Sequence, residues 1–205
     1  MNITFLGTSA AIPTHERGLS GIFVKENRTS ILLDCGDGTT KRLIEEKISI
    51  FKIDAVFLSH LHSDHLFGLP ALWNTMSLLK REQELLIYGP IGVKEKIKKL
   101  ISVDERVLPF KIIINETNSD NKIDIKDLVI SSCKAEHGVP ANAYRISSEN
   151  NTIVYTGDTK KSEMIQKLAD NCDILIHDST FLDKKDADKY NHSTPGQAAE
   201  VAKKA

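Results

Sequence analysis

The chain has 205 residues, 27 of them basic and 28 acidic, so its formal net charge of -1 offers no strong overall field for a polyanion. This length predicts a single domain over residues 1–205, large enough to bury a core. Three widely separated cysteines argue against a disulfide framework and for a reducing compartment, and no apolar run is long enough to cross a membrane. We therefore predict a cytoplasmic protein without a membrane partner.

The first part of the chain predicts strands joined by glycine-bearing turns, followed by a helix. The predicted strands are 3–6, 21–25 and 30–35, of which the last two form a hairpin, and the helix is 39–48. Asp34 stands just before a Gly-Asp-Gly turn that has the outline of a cation-binding loop. Two carboxylates are too few for an EF-hand. Asp34 has two other possible roles: it accepts a hydrogen bond from a metal-bound histidine, or it is purely structural.

Metal-binding side chain types are concentrated in one segment that follows a short apolar run. His60 and His62 lie two apart in an extended chain, so they project to the same side and can bind one metal ion. Asp64 and His65 lie at the start of a predicted helix and can reach a second ion, and a carboxylate is favoured at that helix end. Imidazole and carboxylate ligands suit zinc or a similar first-row ion. A polar turn that is histidine-rich by chance is disfavoured, because the chain has only 7 histidines.

The remaining segments alternate strands and amphipathic helices. The predicted strands are 55–58, 85–90, 110–114 (an edge strand), 122–126, 128–135, 141–147, 151–156 and 173–176; the predicted helices are 64–78, 92–101 and 196–204; and 115–121 is a predicted loop. Four lysines on the 92–101 helix form either a solvated face or a nucleic-acid patch. This alternation predicts two sheets packed face to face with helices outside.

Four further residues stand at the ends of predicted strands or before a helix. His137 and Asp158 each follow a strand, Asp178 follows 173–176, and His192 precedes the last helix. Taken alone, a strand-end residue such as His137 or Asp158 is more often a cap or a core residue than a ligand, so both interpretations remain open. Thr194 is predicted to cap that last helix, which leaves His192 without a structural explanation.

The segment Phe57-Leu58-Ser59-His60-Leu61-His62-Ser63-Asp64-His65-Leu66-Phe67-Gly68-Leu69-Pro70 resembles the ribonuclease Z branch of the metallo-β-lactamase superfamily. Four other stretches agree with that branch in the same order: Phe5-Leu6-Gly7-Thr8, His137-Gly138-Val139-Pro140, Gly157-Asp158-Thr159 and His192-Ser193-Thr194. The resemblance covers nearly the whole chain. It implies an α/β fold of the αββα type, the four-layer metallo-β-lactamase sandwich.

The same resemblance implies a chemistry and a set of residues that perform it. His137 would complete a first site, Asp158 would bridge two zinc ions, Asp64 would also orient the attacking water, and His192, backed by Asp178, would be the general acid. The implied metal ligands are His60, His62, Asp64, His65, His137 and Asp158. The implied reaction is removal of the 3′ trailer of precursor tRNA, and the family commonly forms homodimers.

Three departures from the family pattern qualify these expectations. Asp178 stands where related sequences usually carry glutamate, which puts its reach to His192 in doubt. The tRNA-binding arm of the family would fall between Tyr144 and Gly157, where this chain has room only for a tight turn. No histidine follows His192, and the chain stops at Ala205 inside its last predicted helix. We therefore expect a C-terminally truncated form that holds one zinc ion rather than two.

Two other functions are compatible with these residues. One is a small-molecule hydrolase acting on a cyclic phosphodiester, a lactone or a thioester at the same site. The other is a metal-bearing scaffold protein without turnover, which would have no need of both Asp64 and His192.

Overall fold

The computed structural model describes residues 1–103, 107–117 and 122–205 of the chain. These residues form two compact units, Met1–Glu116 and Thr117–Ala205, each built on one β-sheet. The single domain over 1–205 stays a prediction. Within the described ranges, no helix is both long and apolar enough to span a bilayer.

The sheet of the first unit has six strands in sequence order. They are β1 (Asn2–Gly7), β2 (Gly21–Glu26), β3 (Thr29–Leu33), β4 (Ala55–Phe57), β5 (Leu85–Gly89) and β6 (Ile112–Glu116). The first three strands pair antiparallel, as the predicted hairpin requires, and β3 to β6 pair in parallel. β3 and β4 are buried along their whole length, as is typical of central parallel strands. β6 lies at the edge, as predicted; it takes up part of the predicted loop 115–121, of which residues 118–121 lie outside the described residues.

The helices of the first unit include one break that the sequence pattern did not predict. They are α1 (Thr39–Glu45), α2 (Ser63–Leu66), α3 (Leu69–Leu78) and α4 (Val93–Ile101), with a 3₁₀ turn at Ile50–Lys52. The prediction of one helix over 64–78 is therefore wrong. Pro70 lies in the first turn of α3, and in a continuous helix its ring would clash with the carbonyl of Leu66. The N–H of Gly68 instead donates to the Cys35 carbonyl at 2.8 Å.

We expect Gly68→Ala to lower the free energy of unfolding by about 3 kcal/mol. The added methyl group would clash with backbone atoms, which cannot move aside as the end of a flexible side chain can. A Cβ at this position would lie 2.1 Å from the Gly36 carbonyl oxygen and 2.8 Å from that of Cys35. Urea unfolding measures the effect. Gly196→Ala is the matched control: its nearest contact is 3.8 Å away and it lies within a helix, so the substitution should stabilise by about 0.5–1 kcal/mol. Equal stabilities of the two variants would contradict this account of the helix break.

The second unit is built on a five-stranded sheet in the order β11-β10-β9-β8-β7. Its strands are β7 (Ile123–Ile125), β8 (Leu128–Lys134), β9 (Asn142–Ser147), β10 (Thr152–Tyr155) and β11 (Ile174–Ile176). β10 and β11 pair in parallel, and the other neighbours pair antiparallel. All five strands were predicted, and each predicted end lies within one residue of the observed end.

Three helices accompany this second sheet: α5 (Glu163–Leu168), α6 (Lys184–Tyr190) and α7 (Pro195–Ala202). The sequence predicted only α7, because α5 and α6 have 6 and 7 residues and show too few periodic apolar positions. The predicted cap of α7 is confirmed. The Gln197 N–H donates to the Thr194 hydroxyl at 3.2 Å, and the Gln197 side chain accepts from the Thr194 N–H at 2.9 Å.

Candidate active site

The first group of candidate ligands lies where β4 ends and α2 begins. His60 is fully buried and His62 is exposed, and the Nε2 atom of His60 lies 2.9 Å from the Nδ1 atom of His62. Asp64 and His65 occupy α2, with an Asp64 carboxylate oxygen 3.5 Å from the His65 Nε2. The predicted proximity of His60 to His62 and the helical placement of Asp64 and His65 are both confirmed.

Asp34 lies directly against this first group. It follows β3 with a left-handed φ of 58°, is fully buried, and accepts a hydrogen bond from the Nδ1 of His65 at 2.7 Å. The contact proposed for Asp34, with a histidine among the candidate ligands, is therefore present in the structure. Because a carboxylate only accepts, this hydrogen bond requires that His65 carries its proton on Nδ1. The lone pair of the neutral ring is then on Nε2.

The backbone beside Asp34 holds the histidine turn in place. The Cys35 N–H donates to the His65 carbonyl at 2.7 Å, and the Cys35 carbonyl accepts from Gly68. Burial raises the pKa of the Cys35 thiol far above its ordinary value, and burial raises the pKa of the Cys133 thiol to about 12. Both thiols therefore stay protonated at neutral pH. They are packed as small buried residues, as expected.

The second group lies in the second unit and contains His137, Asp158 and His192. One ligand atom from each lies within 4.8 Å of the others. The rings of His137 and His192 pack edge to face, with centroids 5.1 Å apart. The Nδ1 of His137 lies 3.0 Å from the Asn191 carbonyl, which can only accept, so His137 carries its proton on Nδ1 and its lone pair on Nε2.

Asp178 reaches His192 in spite of its short side chain. Its Oδ2 atom lies 2.7 Å from the Nδ1 of His192 and also accepts from the Thr159 N–H at 3.0 Å. Its Oδ1 atom accepts from the N–H and the hydroxyl of Thr180, at 2.9 and 2.7 Å. These contacts fix the carboxylate on both oxygens and hold the His192 ring in one orientation. The doubt about the reach of an aspartate at this position is thereby answered.

Comparison with known proteins identifies the family to which these groups belong. A family model described as a β-lactamase superfamily domain matches residues 29–205. Ribonuclease Z of Picrophilus torridus is 34% identical in an alignment that covers 99% of this chain and 82% of that relative. The chain belongs to the ribonuclease Z branch of the metallo-β-lactamase superfamily.

Solved structures agree with this placement among the ribonuclease Z proteins. The short form of human tRNase Z is 30% identical with a TM-score of 0.88, covering 100% of this chain and 88% of that one. The metallo-β-lactamase fold protein YhfI from Bacillus subtilis is 27% identical with a TM-score of 0.87, covering 99% and 80%. The predicted α/β class and metallo-β-lactamase fold are confirmed. So is the predicted enzyme class, a metal-dependent hydrolase of the ribonuclease Z type.

This chain is also shorter than its Picrophilus torridus relative within the aligned region. The alignment extends over 252 positions, more than the 205 residues of this chain, so the Picrophilus torridus relative carries segments that this chain lacks. In this chain β9 and β10 are joined by a tight turn in which the Ser148 N–H donates to the Asn151 carbonyl at 2.8 Å. No arm extends from this hairpin, as predicted.

The side chains present fit the metal centre of a ribonuclease Z. Imidazole nitrogens and carboxylate oxygens are the donors that zinc takes in hydrolases, and two zinc-bound nitrogens in tetrahedral geometry stand about 3.3 Å apart. The 2.9 Å between His60 and His62 is close to that spacing. Hydrogen-bonded Nδ1 atoms at His65 and His137 direct the metal-binding lone pair to Nε2, as the outer partners of ligating histidines usually do.

Sequence analysis missed Asn191, whose backbone carbonyl supports this candidate site. Asn191 ends α6 in the left-handed conformation, with a φ of 61°, and presents its carbonyl to His137. An asparagine after a helix is a recognised signal of this conformation, but α6 itself was not predicted. His177 places its Nδ1 2.8 Å from the Asp178 carbonyl, and burial lowers its pKa, so it is held as a neutral ring.

Proposed function

We propose that this chain is a zinc-dependent endoribonuclease that removes the 3′ trailer of precursor tRNA. The observation that carries the proposal is the hydrogen-bonded pair His192–Asp178, which lies next to the candidate ligands His137 and Asp158. In this pair His192 would donate a proton and Asp178 fixes the orientation of its ring. The His192 Nδ1 lies 4.0 Å from an Asp158 carboxylate oxygen. Membership of the ribonuclease Z family supports the substrate. Zinc, the homodimer and the cytoplasmic location stay predictions.

The proposal assigns each candidate ligand to a metal position. His60, His62, His137 and Asp158 would hold one ion. Asp64 and His65, with Asp158 shared, would offer a second position, which we expect to bind its ion more weakly because it has fewer ligands from this chain. When bound, zinc supplies Lewis-acid stabilisation of negative charge on the phosphoryl oxygens and lowers the pKa of a bound water. The resemblance to ribonuclease Z across the whole chain supports this assignment.

The chain's own residues then move two protons. Asp64 would orient the attacking water and accept its proton as the new oxygen–phosphorus bond forms. His192 would give the proton on Nε2 to the ribose 3′ oxygen as its bond to phosphorus breaks. Asp178 stabilises the imidazolium form of His192 through Nδ1, which is the form that a general acid requires. The tRNA would leave with a 3′ hydroxyl and the trailer with a 5′ phosphate.

A cleavage assay tests the proposed function directly. Zinc-loaded protein is incubated with a 3′-extended precursor tRNA, and the ends of both products are mapped. A single cut at the start of the trailer, lost on chelation and restored by zinc, is expected. Failure of the zinc-loaded protein to cut precursor tRNA would reject the proposal.

A second candidate function is supported by the short β9–β10 hairpin, which leaves this chain without the expected tRNA-binding arm. The same catalytic groups could hydrolyse a small phosphodiester, such as a cyclic nucleotide or a bis-aryl phosphate. Side-by-side kcat/KM values for precursor tRNA and these compounds distinguish the two functions. Preference for the small substrates would favour the second candidate.

RNA binding without an arm should depend on local basic clusters. α4 buries Val93 and Ile97 and carries its lysines elsewhere on its surface: Lys94, Lys96, Lys98 and Lys99. A second cluster, Lys160 and Lys161, is weaker because Lys161 forms an ion pair with Glu200. We expect Lys94→Glu/Lys98→Glu to weaken tRNA binding and to reduce the slope of log affinity against log salt by about 1 for each phosphate that the variant no longer neutralises.

Filter binding of precursor tRNA at several salt concentrations measures this slope. Lys41→Glu/Lys52→Glu is the matched control, because both lysines are exposed on the same unit and belong to neither cluster. We expect the control slope to equal that of the unmodified chain. An unchanged slope in both the α4 variant and a Lys160→Ala/Lys161→Ala variant would exclude these clusters from tRNA binding.

A further inference from the structure

A buried hydrogen-bond network links two of the candidate ligands behind the histidine turn. Its members are Asp34, Ser59, His60 and His65, of which none is more than 4% exposed. The Ser59 hydroxyl lies 2.7 Å from the Asp34 Oδ2, 3.1 Å from the His60 Nδ1 and 3.5 Å from the His65 Nδ1. The Ser59 N–H also donates to the Asp34 Oδ1 at 2.7 Å.

The protons of this network can be assigned from the chemistry of its groups. A carboxylate only accepts, so the single hydroxyl proton of Ser59 is committed to Asp34. The oxygen of Ser59 can then only accept from His60, which requires the His60 proton to be on Nδ1. In a neutral ring the lone pair is then on Nε2, the atom that lies beside the His62 Nδ1.

We propose that Ser59 is a positioning residue that fixes the ring orientation and tautomer of His60 for metal binding, and that Asp34 couples His60 to His65 through it. The inference rests on the metal role of these histidines in the proposed function. Asp34 holds His65 directly and holds His60 through the Ser59 hydroxyl. One buried carboxylate therefore orients a ligand of each proposed metal position.

Ser59→Ala tests the role of this hydroxyl on the full, zinc-loaded chain. We expect its zinc affinity, measured by competition with a chelator, to fall about 10–100-fold, the usual cost of removing an outer partner of a ligating histidine. Ser59→Thr keeps the hydroxyl and should restore most of the affinity. Ser30→Ala removes a serine that is also buried, in the adjacent strand β3, and should leave the affinity unchanged.

A second measurement separates positioning from a general loss of stability. In the zinc-loaded protein, the His60 Nδ1 proton should give a slowly exchanging NMR signal, because Ser59 holds it in the interior. We expect this proton to exchange faster with water in Ser59→Ala and to stay protected in Ser59→Thr and Ser30→Ala. Unchanged zinc affinity and unchanged exchange in Ser59→Ala would overturn the inference while leaving the proposed function intact. Absence of zinc binding by the unmodified chain would instead overturn both.

Discussion

His192→Ala is expected to lower turnover on 3′-extended precursor tRNA by about 10²–10⁴-fold, the usual contribution of a general acid. The ribose 3′ oxygen is a poor leaving group and needs a proton as its bond to phosphorus breaks. Asp178 holds His192 by its Nδ1, at 2.7 Å, so the opposite nitrogen is the one that delivers the proton. The measurement is single-turnover cleavage of the precursor by zinc-loaded protein.

Two controls distinguish proton donation from other roles of His192. A bis-aryl phosphodiester has a leaving group that needs no proton, so its hydrolysis should fall much less. Zinc content should stay unchanged, which matters because His192 lies in one potential ligand group with His137 and Asp158. Loss of zinc would reassign His192 as a ligand, and equal losses on the two substrates would contradict the role of acid. His15→Ala, an exposed histidine outside these groups, should change neither quantity.

His62→Ala and His137→Ala are each expected to remove zinc and to lower activity by at least about 10³-fold, because a catalytic metal stabilises several kcal/mol of charge in the transition state. The proposal assigns these two residues to the same ion. Removing either ligand should therefore have nearly the same effect as removing both. The measurements are zinc per chain by elemental analysis and kcat/KM on precursor tRNA.

The double variant His62→Ala/His137→Ala makes this test specific. If both residues hold one ion, the double variant loses no more zinc and little more activity than either single variant. The effects of the two substitutions on activity are then far from additive, which corresponds to a large coupling energy. Independent sites would instead give losses that multiply. Zinc content that is equal in the unmodified chain and in His62→Ala would contradict the assignment of the first group as a metal site.

The candidate ligands could be named from the sequence because their signals are local. His60, His62, Asp64 and His65 lie within six consecutive positions, and their spacing on a strand end and a helix start determines which side chains converge. The cap of α7 is local in the same sense, since Thr194 and Gln197 are three residues apart. Apolar runs likewise identified the strands of both sheets.

Contacts between distant segments were decided only by the tertiary structure. Asp34 meets Ser59 across 25 residues of chain, and the Asn191 carbonyl meets His137 across 54. The division between α2 and α3 has the same origin, because the Gly68 N–H turns to the Cys35 carbonyl, a partner that helical periodicity cannot indicate. Local sequence therefore determined which side chains can bind a metal. The fold determined which nitrogen of His65 and His137 carries the lone pair, because a ring's tautomer is set by the acceptor on its other nitrogen.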